Sequence, residues 1–274
     1  MKNKTCVITG ANSGIGLETA RGLAHRGARV VLVCRDRSKG EAARRELIAA
    51  TGNGQISLLV ADLASLDQVR RLAGEIQAGC PRLDLLIHNA GLMCRERQVS
   101  ADGFELHLAV HHLAPFLLTH LLLDLLRRSA PARVILVSSR LHRLARIDFD
   151  DLQCKRSYGM LRAYGQSKLA MLHFGYELAE RLRGSGVTVN ALHPGTVATN
   201  IGIPGWLSPF IATPEKGART SIHLACAPEL EQVTGRYFAN GKEARSSRRS
   251  HDRAVGRRLW AVTEKLCGIA GPAA

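Results

Sequence analysis

The sequence Thr5-Cys-Val-Ile-Thr-Gly-Ala-Asn-Ser-Gly-Ile-Gly16 joins an apolar strand pattern to a glycine-rich turn. Helical spacing follows over residues 15–26, so the turn connects a strand to a helix. Glycines let such a turn close tightly and let a pyrophosphate approach the N–H groups at the helix N-terminus. The form T-G-x-x-x-G-I-G therefore predicts a dinucleotide site, with a glycine-rich turn that holds no ligand as the alternative.

Apolar strand patterns alternate with helical patterns along the rest of the chain. The predicted strands are 5–9, 29–34, 56–60, 83–87, 133–137 and 187–192, and the predicted helices are 15–26, 40–50, 66–78, 105–128 and 163–183. Continuous apolar strands are typical of a parallel sheet covered on both faces. We therefore predict an α/β chain with one Rossmann-type, doubly wound parallel sheet and helices on both faces. The single domain spans residues 1–274, with 1–110 mainly binding cofactor and 111–274 mainly supplying catalytic residues and a substrate loop.

Composition excludes several classes of protein. Hydrophobic residues make up 46% of the 274 residues and charged residues 22%, so the chain is not intrinsically disordered. The seven cysteines are far apart and form no C-x-x-C pair, which argues against a disulfide framework and a zinc site. An apolar strand follows the first four residues directly, with no signal peptide before it. We predict a cytoplasmic protein with reduced thiols and no metal.

The chain is strongly basic, with 38 Lys+Arg against 23 Asp+Glu and a net charge of +15. This balance favours anionic partners, but aromatic residues are only 4% and no groove-reading or stacking motif accompanies the charge, so nucleic-acid binding is not predicted. The basic stretch 242–258 is either a solvated helix and loop or a surface for peripheral contact with an anionic membrane.

Arg35 follows Cys34 at the end of the second predicted strand. In many dinucleotide folds an acid stands at the Cys34 position and binds the ribose 2′-hydroxyl. A guanidinium there can instead form two charge-assisted hydrogen bonds with a 2′-phosphate. The pair predicts NADP(H) as the cofactor, and an ordinary surface arginine in the basic loop 35–39 is the alternative.

Two further motifs follow predicted strands. Asp62-Leu63 comes after the third strand, and Asn89-Ala90-Gly91 comes after the fourth. Open α/β sheets bind ligands at the carboxyl ends of their strands, and small residues there suit close packing on an adenosine. A simple turn at the strand end is the alternative for either motif alone.

Tyr164 and Lys168 form the strongest chemical pattern in the chain. Their i, i+4 spacing on a predicted helix puts the phenol and the ammonium on one helical face. A nearby cation stabilises phenolate, so the pKa of Tyr164 is expected to move down towards the range that proton transfer needs. Ser139 ends the preceding strand, and Pro194-Gly195 follows the next one, so both are expected at the same crevice.

In this order the motifs resemble the short-chain dehydrogenase/reductase family over nearly the whole chain. The resemblance implies that Tyr164 is the acid/base, that Lys168 activates it and holds a ribose, and that Ser139 polarises a substrate carbonyl. It also implies that Thr199 holds the nicotinamide amide and that Asn89 lies beside the adenosine. The expected cofactor-binding residues are Gly10, Asn12, Ser13, Gly14, Ile15, Gly16, Arg35, Asp62, Leu63, Asn89, Ala90, Gly91, Tyr164, Lys168, Pro194, Gly195, Val197 and Thr199.

More narrowly, the chain resembles the retinol dehydrogenase-like branch, through segments 33–36, 62–65, 102–105, 116–123, 185–188, 235–238 and 258–260. This implies interconversion of a carbonyl and an alcohol on a lipophilic substrate, such as a retinoid or an aliphatic or aromatic aldehyde or ketone. The apolar segment 201–211 is expected to be the substrate loop, with a loop packed on its own sheet as the alternative. Its candidate contact residues are Ile201, Ile203, Trp206, Leu207 and Phe210.

His111 departs from the family pattern, which has an asparagine at that position in the long helix. The asparagine is thought to anchor a water that relays protons from the lysine. His111 is therefore either a working substitute among the catalytic residues or a helix histidine without a role. In the second case a nucleotide-binding regulatory or scaffold protein with weak or no turnover is the alternative function. If the relay needs a small amide, His111→Asn is expected to raise turnover.

The family resemblance also implies a homodimer, with the predicted helices 105–128 and 163–183 at the interface. The run 116–123 is apolar over more than one helical face, so it is expected to serve both the core and a partner.

Overall fold

A computed structural model describes residues 1–195 and 213–269 of the chain. Its strands and α-helices, in chain order, are β1 (Thr5–Thr9), α1 (Gly14–Ala24), β2 (Arg29–Cys34), α2 (Arg37–Thr51), β3 (Ile56–Val60), α3 (Leu66–Gly79), β4 (Leu85–His88), α4 (Leu106–Leu108), α5 (Ala114–Arg128), β5 (Ala132–Val137), α6 (Met160–Arg181), β6 (Val187–His193), α7 (Pro214–Cys226), β7 (Arg236–Ala239), β8 (Lys242–Ala244) and α8 (Arg253–Leu266). Every predicted strand and helix is present, with bounds that shift by a few residues.

The eight strands form one sheet in the order β3-β2-β1-β4-β5-β6-β7-β8. Strands β1 to β7 run parallel, and β8 pairs antiparallel with β7. The predicted α/β doubly wound sheet is confirmed, with one antiparallel strand added at the edge. The order of the strands reverses between β1 and β4, which is the point where sheets of this kind bind ligands.

The edge hairpin has a two-residue turn at Asn240 and Gly241, whose φ angles are 52° and 73°. Both residues lie in the left-handed region, as the tight turns that match the twist of a hairpin require. Asn-Gly is the sequence signal for such a turn, and it explains why β7 and β8 pair with each other.

Helices cover both faces of the sheet. On one face Leu72, Leu117 and Leu172, from α3, α5 and α6, belong to one buried cluster. On the other face Leu23 and Leu224, from α1 and α7, belong to a second cluster. The two clusters explain why the strands are apolar along their whole length rather than alternating.

The long helix is continuous over Leu106–Arg128 and contains a π-helical turn at Ala109–Leu113. In this turn the N–H of Ala114 donates to the carbonyl of Ala109, five residues back. Pro115 has no N–H to donate to the carbonyl of residue 111, so the ordinary i to i−4 ladder is interrupted here.

By length and composition this 23-residue helix is apolar enough to cross a membrane, yet 78% of its most apolar window is buried inside the chain. Phe116, Leu118 and Leu122 are buried in one protomer, whereas Leu121 and Leu123 are partly exposed. The sequence predicts that the run 116–123 contributes apolar surface to both the core and a partner. Most of that surface is buried in the core.

Candidate active site

The turn between β1 and α1 can be built only with glycine at two positions. Gly10 has a φ of +65°, and a Cβ added there would lie 2.8 Å from the Cα of Ala90. A Cβ on Gly16 would lie 2.2 Å from the carbonyl oxygen of Gly10 and 2.4 Å from Nδ2 of Asn89. These contacts hold the first turn of α1 against the ends of β1 and β4.

The N-terminus of α1 is left open for a ligand. Its N-cap residue, Ser13, makes no capping hydrogen bond, and its first turn contains no acidic residue. By contrast, the side chains of Asp36, Ser65 and Asp252 accept hydrogen bonds from the first N–H groups of α2, α3 and α8. The free N–H groups and the positive end of the α1 dipole fit the pyrophosphate of a dinucleotide.

A cleft of about 410 Å³ runs from this turn along the carboxyl ends of the strands. It is lined by Gly10, Asn12, Ser13, Gly14, Ile15, Gly16, Val33, Cys34, Arg35, Ala61, Asp62, Leu63, Asn89, Ala90, Gly91, Leu92, Met93, Val110, Val137, Ser138, Tyr164, Lys168 and Pro194. All the predicted cofactor residues as far as Pro194 are among them. Gly195 is not, and residues Val197, Thr199, Ile201, Ile203, Trp206, Leu207 and Phe210 lie outside the described residues.

Asn89 ties the ends of β1 and β4 together. Its Nδ2 donates to the carbonyl oxygens of Thr9 at 2.9 Å and Gly10 at 3.2 Å. The Thr9 hydroxyl oxygen accepts from the N–H groups of Asn89 at 3.0 Å and Ala90 at 3.1 Å. Asn89 lies in the cleft, as predicted, and it also holds the glycine turn in place.

Arg35 lines the cleft, as do Asn12 and Ser13. Its neighbour Asp36 is the nearest acid along the chain, but its Oδ1 accepts from the N–H of Lys39 at 3.1 Å and from the Ser38 hydroxyl at 2.7 Å. These bonds hold the pKa of Asp36 below its usual value. The acid caps α2, and the guanidinium is the charged group that lines the cleft after β2.

Tyr164 and Lys168 both lie on α6 and are buried beneath the cleft. Nζ of Lys168 is 5.8 Å from the centroid of the Tyr164 ring and donates to the carbonyl of Val137 at 2.9 Å. The Ser138 hydroxyl donates to the carbonyl of Lys168 at 3.1 Å. The end of β5 thus fixes the lysine beside the tyrosine.

The expected lowering of the Tyr164 pKa is wrong for this cleft. Burial of the phenol raises its pKa, and the hydrogen bond with Ser139 opposes that rise without reversing it. Burial also lowers the pKa of Lys168 to about 7. Removing both groups from water disfavours their charged forms more strongly than their proximity favours them. The phenol therefore keeps its proton, as a proton donor must.

Ser139 follows β5 and caps a 3₁₀ turn over Arg140–Leu144. Its Oγ accepts weakly from the N–H of Leu141 at 3.3 Å, which leaves the hydroxyl proton free to donate. The Ser139 side chain lies beside the Tyr164 phenol. Tyr164 and Lys168 line the cleft, and of the two neighbouring serines the lining residue is Ser138 rather than Ser139.

His111 is completely buried behind Gly91 rather than exposed in the cleft. Its Nε2 accepts from the N–H of Leu92 at 3.0 Å, so the proton of the neutral ring is on Nδ1. The Nδ1–H group donates to the Ser167 hydroxyl oxygen at 2.8 Å, and the Ser167 hydroxyl donates in turn to the carbonyl of Tyr164, also at 2.8 Å. Both ring nitrogens are occupied by fixed partners.

A second histidine, His107, was not predicted as a site residue, and it also accepts a hydrogen bond from the loop after β4. Nε2 of His107 accepts from the N–H of Cys94 at 3.0 Å, and its Nδ1 donates to buried Glu105 at 2.6 Å. The His107 and His111 rings lie 5.9 Å and 5.3 Å from the Tyr164 ring. The sequence did contain a signal for this placement: two histidines four residues apart on a predicted helix lie on the same face, so His107 is expected near His111.

The comparisons with known proteins agree with this geometry. The model of the short chain dehydrogenase family matches residues 4–204. The chain is 46% identical to retinol dehydrogenase 14 of Mus musculus over 291 residues, which cover 98% of this chain and 87% of that protein. It is 47% identical to retinol dehydrogenase 12 of Bos taurus over 274 residues, with 97% and 87% covered.

Comparison with solved structures also supports this fold. A protein from Mycobacterium Paratuberculosis has a TM-score of 0.83 and 37% identity, with 99% of this chain and 96% of that chain covered. The Pseudomonas aeruginosa RhlG/NADP active-site complex has a TM-score of 0.72 and 28% identity, with 87% and 94% covered. These similarities support a nicotinamide dinucleotide as the cofactor. The chain belongs to the short-chain dehydrogenase/reductase family of oxidoreductases and, within it, to the retinol dehydrogenase-like branch.

Proposed function

We propose that the protein is an NADP(H)-dependent oxidoreductase that interconverts a carbonyl and an alcohol on a lipophilic substrate. The observation that carries this proposal is that Tyr164 and Lys168 line the dinucleotide cleft together, with the Ser139 side chain beside the Tyr164 phenol. Relatives named retinol dehydrogenases favour a retinoid as substrate, with aliphatic or aromatic aldehydes and ketones as the wider class.

Each of the three side chains has a distinct chemical task. A nicotinamide bound in the cleft would supply or accept a hydride. Tyr164 donates its phenolic proton to the carbonyl oxygen during reduction and takes a proton from the alcohol during oxidation. Ser139 donates a hydrogen bond to the same oxygen and so increases the positive charge on the carbonyl carbon. Lys168, when protonated, stabilises the phenolate that Tyr164 leaves behind.

The preference for NADP(H) rests on the pair of residues after β2. Arg35 lines the cleft, where a 2′-phosphate can receive two charge-assisted hydrogen bonds. Asp36, the adjacent acid, is engaged by the N-terminus of α2. The Asp36 carboxylate is therefore engaged by the helix rather than free to bind a ribose 2′-hydroxyl.

A cytoplasmic setting and a homodimer are part of the same proposal. All seven cysteines are free thiols, which suits a reducing compartment. On the long helix, Leu121 and Leu123 keep part of their apolar surface exposed, and this is the surface that we assign to a second copy.

The direct test is oxidation of NADPH and NADH in the presence of retinaldehyde, an aliphatic aldehyde and an aromatic ketone. We expect turnover with at least one of these carbonyls and a higher kcat/KM with NADPH. Binding of NADPH without turnover on any of them would favour the regulatory or scaffold alternative. Equal kcat/KM with both cofactors would contradict the NADP(H) assignment alone.

A further inference from the structure

The carbonyl group of Ser139 is held by a buried histidine. His142 lies on the 3₁₀ turn that follows Ser139 and is completely buried. Its Nε2 accepts from the N–H of Ser247 at 3.0 Å, so the proton of the neutral ring is on Nδ1. The Nδ1–H group donates to the Ser139 carbonyl at 2.6 Å. The imidazole therefore connects Ser139 to a segment near the end of the chain.

The surroundings of His142 favour this neutral form. Burial lowers the pKa of His142 below its ordinary value, and the bond with the Ser139 carbonyl opposes that shift without reversing it. A protonated ring would lose the bond from Ser247, because both of its nitrogens would be donors. The ring also contacts Tyr237 of β7 edge-on, with 5.4 Å between the ring centroids. Three contacts thus fix the orientation of the imidazole.

The segment that carries Ser247 is itself anchored to the rest of the protein. The Arg249 guanidinium donates to the carbonyl of Ala145, directly after the 3₁₀ turn, at 3.0 Å. The Ser246 hydroxyl forms a hydrogen bond of 2.7 Å with the hydroxyl of Tyr176 on α6. This part of the basic stretch is therefore fixed relative to the helix that carries the proton donor.

Ser139 stands at the point where the sheet stops holding the chain. The N–H of Ser138 donates to the carbonyl of Leu192 at 2.8 Å, which extends the β5–β6 ladder by one residue. Beyond this bond, the Ser139 carbonyl accepts from the backbone N–H of His142 at 3.2 Å and from its ring. A fixed carbonyl sets the plane of its peptide group, and with it the direction of the Cα–Cβ bond that carries the hydroxyl.

We propose that His142 is a positioning residue for Ser139, and that through its imidazole the segment 245–251 sets the direction of the Ser139 hydroxyl. This inference rests on the proposed function, because it requires Ser139 to donate to the oxygen of the substrate. Displacement of a reacting group by about 1 Å can lower a rate about 10²-fold, so this bond matters for turnover although His142 touches no substrate. The basic stretch then has a task inside the protein that its charge does not indicate.

A double-mutant cycle on kcat tests the proposal. His142→Phe keeps a ring against Tyr237 and removes both hydrogen bonds of the ring, so kcat should fall about 10- to 100-fold while the Kd for NADPH stays within about a factor of two. Ser139→Ala should lower kcat about 10²- to 10³-fold. The double variant should match Ser139→Ala within about three-fold, because an absent hydroxyl needs no positioning. Multiplied losses, or an unchanged kcat in His142→Phe, would overturn the proposal.

Two amide variants separate positioning from a purely structural role. The amide nitrogen in His142→Asn can take the place of Nδ1 and keep the bond to Ser139. The amide oxygen in His142→Gln can take the place of Nε2 and keep the bond from Ser247. Positioning predicts that His142→Asn recovers part of the lost kcat and that His142→Gln resembles His142→Phe. The reverse order would mean that His142 only anchors the C-terminal segment, and would overturn the proposal.

Neighbouring arginines provide a matched pair of variants. Arg249→Gln removes the bond to Ala145 and keeps the buried histidine, so it tests the same connection if His142→Phe does not fold. It should lower kcat about 3-fold, from the loss of one ordinary hydrogen bond. Arg248→Gln removes an equally exposed arginine next to it and should leave kcat unchanged. Equal kcat in the two variants would overturn the role assigned to the segment 245–251.

The outcomes also distinguish this proposal from the proposed function. An unchanged kcat in Ser139→Ala, or a parent protein that binds NADPH without turnover, would contradict the proposed function itself. Hydrogen exchange then reads the connection directly, because the amides of residues 140–145 and of residues 245–251 should both exchange faster in His142→Phe than in the parent. Faster exchange in only one of these segments, or in neither, would overturn the connection.

Discussion

Nε2 of His111 accepts a hydrogen bond from the backbone N–H of Leu92 at 3.0 Å. Through Nδ1 and Ser167 the same ring reaches the carbonyl of Tyr164. His111 therefore links the loop after β4, which lines the dinucleotide cleft, to the helix that carries the proton donor. In this position the imidazole sets the distance between two parts of the site.

We expect His111→Asn to give no gain in kcat, in contrast to the expectation from the family pattern alone. The shorter amide cannot keep both partners of the imidazole, so a buried polar group loses its hydrogen bond, at a cost of about 1–3 kcal/mol in the free energy of unfolding. Urea denaturation of both proteins measures this cost.

The pH–rate profile gives a second readout for His111. Burial, with smaller contributions from Lys168 and His107, holds the pKa of His111 well below its ordinary value. Its titration should therefore add no limb between pH ~5 and 8, and the profile of the Asn variant should match that of the parent there. A limb in this range that disappears in the variant, or a higher kcat, would show that residue 111 takes part in the proton relay.

Arg35→Ala should weaken NADPH binding more than NADH binding, because only NADPH carries the 2′-phosphate. The difference should be ~1.5–3 kcal/mol, the range for a hydrogen bond to a charged group. Calorimetric titration with both cofactors measures it, and Arg45→Ala on α2 is the control for lost positive charge. If the variant bound NADPH and NADH with equally reduced affinity, Arg35 would be a surface residue that does not bind the 2′-phosphate.

Stability should fall steeply on the acid side of neutrality. Burial lowers the pKa to about 3 for His88 and His112 and to about 4 for His173 and His193, and it also lowers that of His111. Below pH ~6.5 the unfolded chain binds protons that the folded chain does not, so the unfolding free energy decreases as the pH falls. Five such groups give a slope on the order of 5 kcal/mol per pH unit, enough to unfold a protein of ordinary stability near pH ~5.

Urea denaturation at a series of pH values from about 7.5 to about 5 measures the slope. His112→Gln should reduce it by ~1.4 kcal/mol per pH unit. A flat dependence over this range would mean that these histidines accept protons in the folded state.

The homodimer prediction is tested by sedimentation at micromolar concentration. A dimer should form through α5 and α6, and Leu121→Glu/Leu123→Glu should abolish it, because a charge cannot be buried against an apolar partner without a large desolvation cost. The single species of 29.7 kDa would then remain. A parent protein that sediments only at that mass would refute the assignment.

The sequence was sufficient to predict the parallel sheet because its strands are apolar along their whole length, a pattern that only burial on both faces produces. It also located the glycine turn and Tyr164, whose chemistry depends on local spacing. It did not predict β7 and β8, although Asn240-Gly241 between two short strands was the signal for a hairpin.

Long-range contacts were harder to predict. The bond between His111 and Leu92 depends on how the long helix packs against a loop, and the raised pKa of Tyr164 depends on burial rather than on its distance from Lys168 along the helix. The Arg143 guanidinium donates to the carbonyl of Arg245, which joins segments about one hundred positions apart. Spacing along the chain contains none of this information.

Tyr164→Phe tests most directly that the phenol is the proton donor. The variant removes only the hydroxyl and keeps the ring that packs against His107 and His111. With the best carbonyl substrate, kcat should fall by ~10²–10⁴-fold, the range for loss of a general acid, while the Kd for NADPH stays within about a factor of two of the parent value. A variant that keeps most of its kcat with NADPH fully bound would contradict the mechanism.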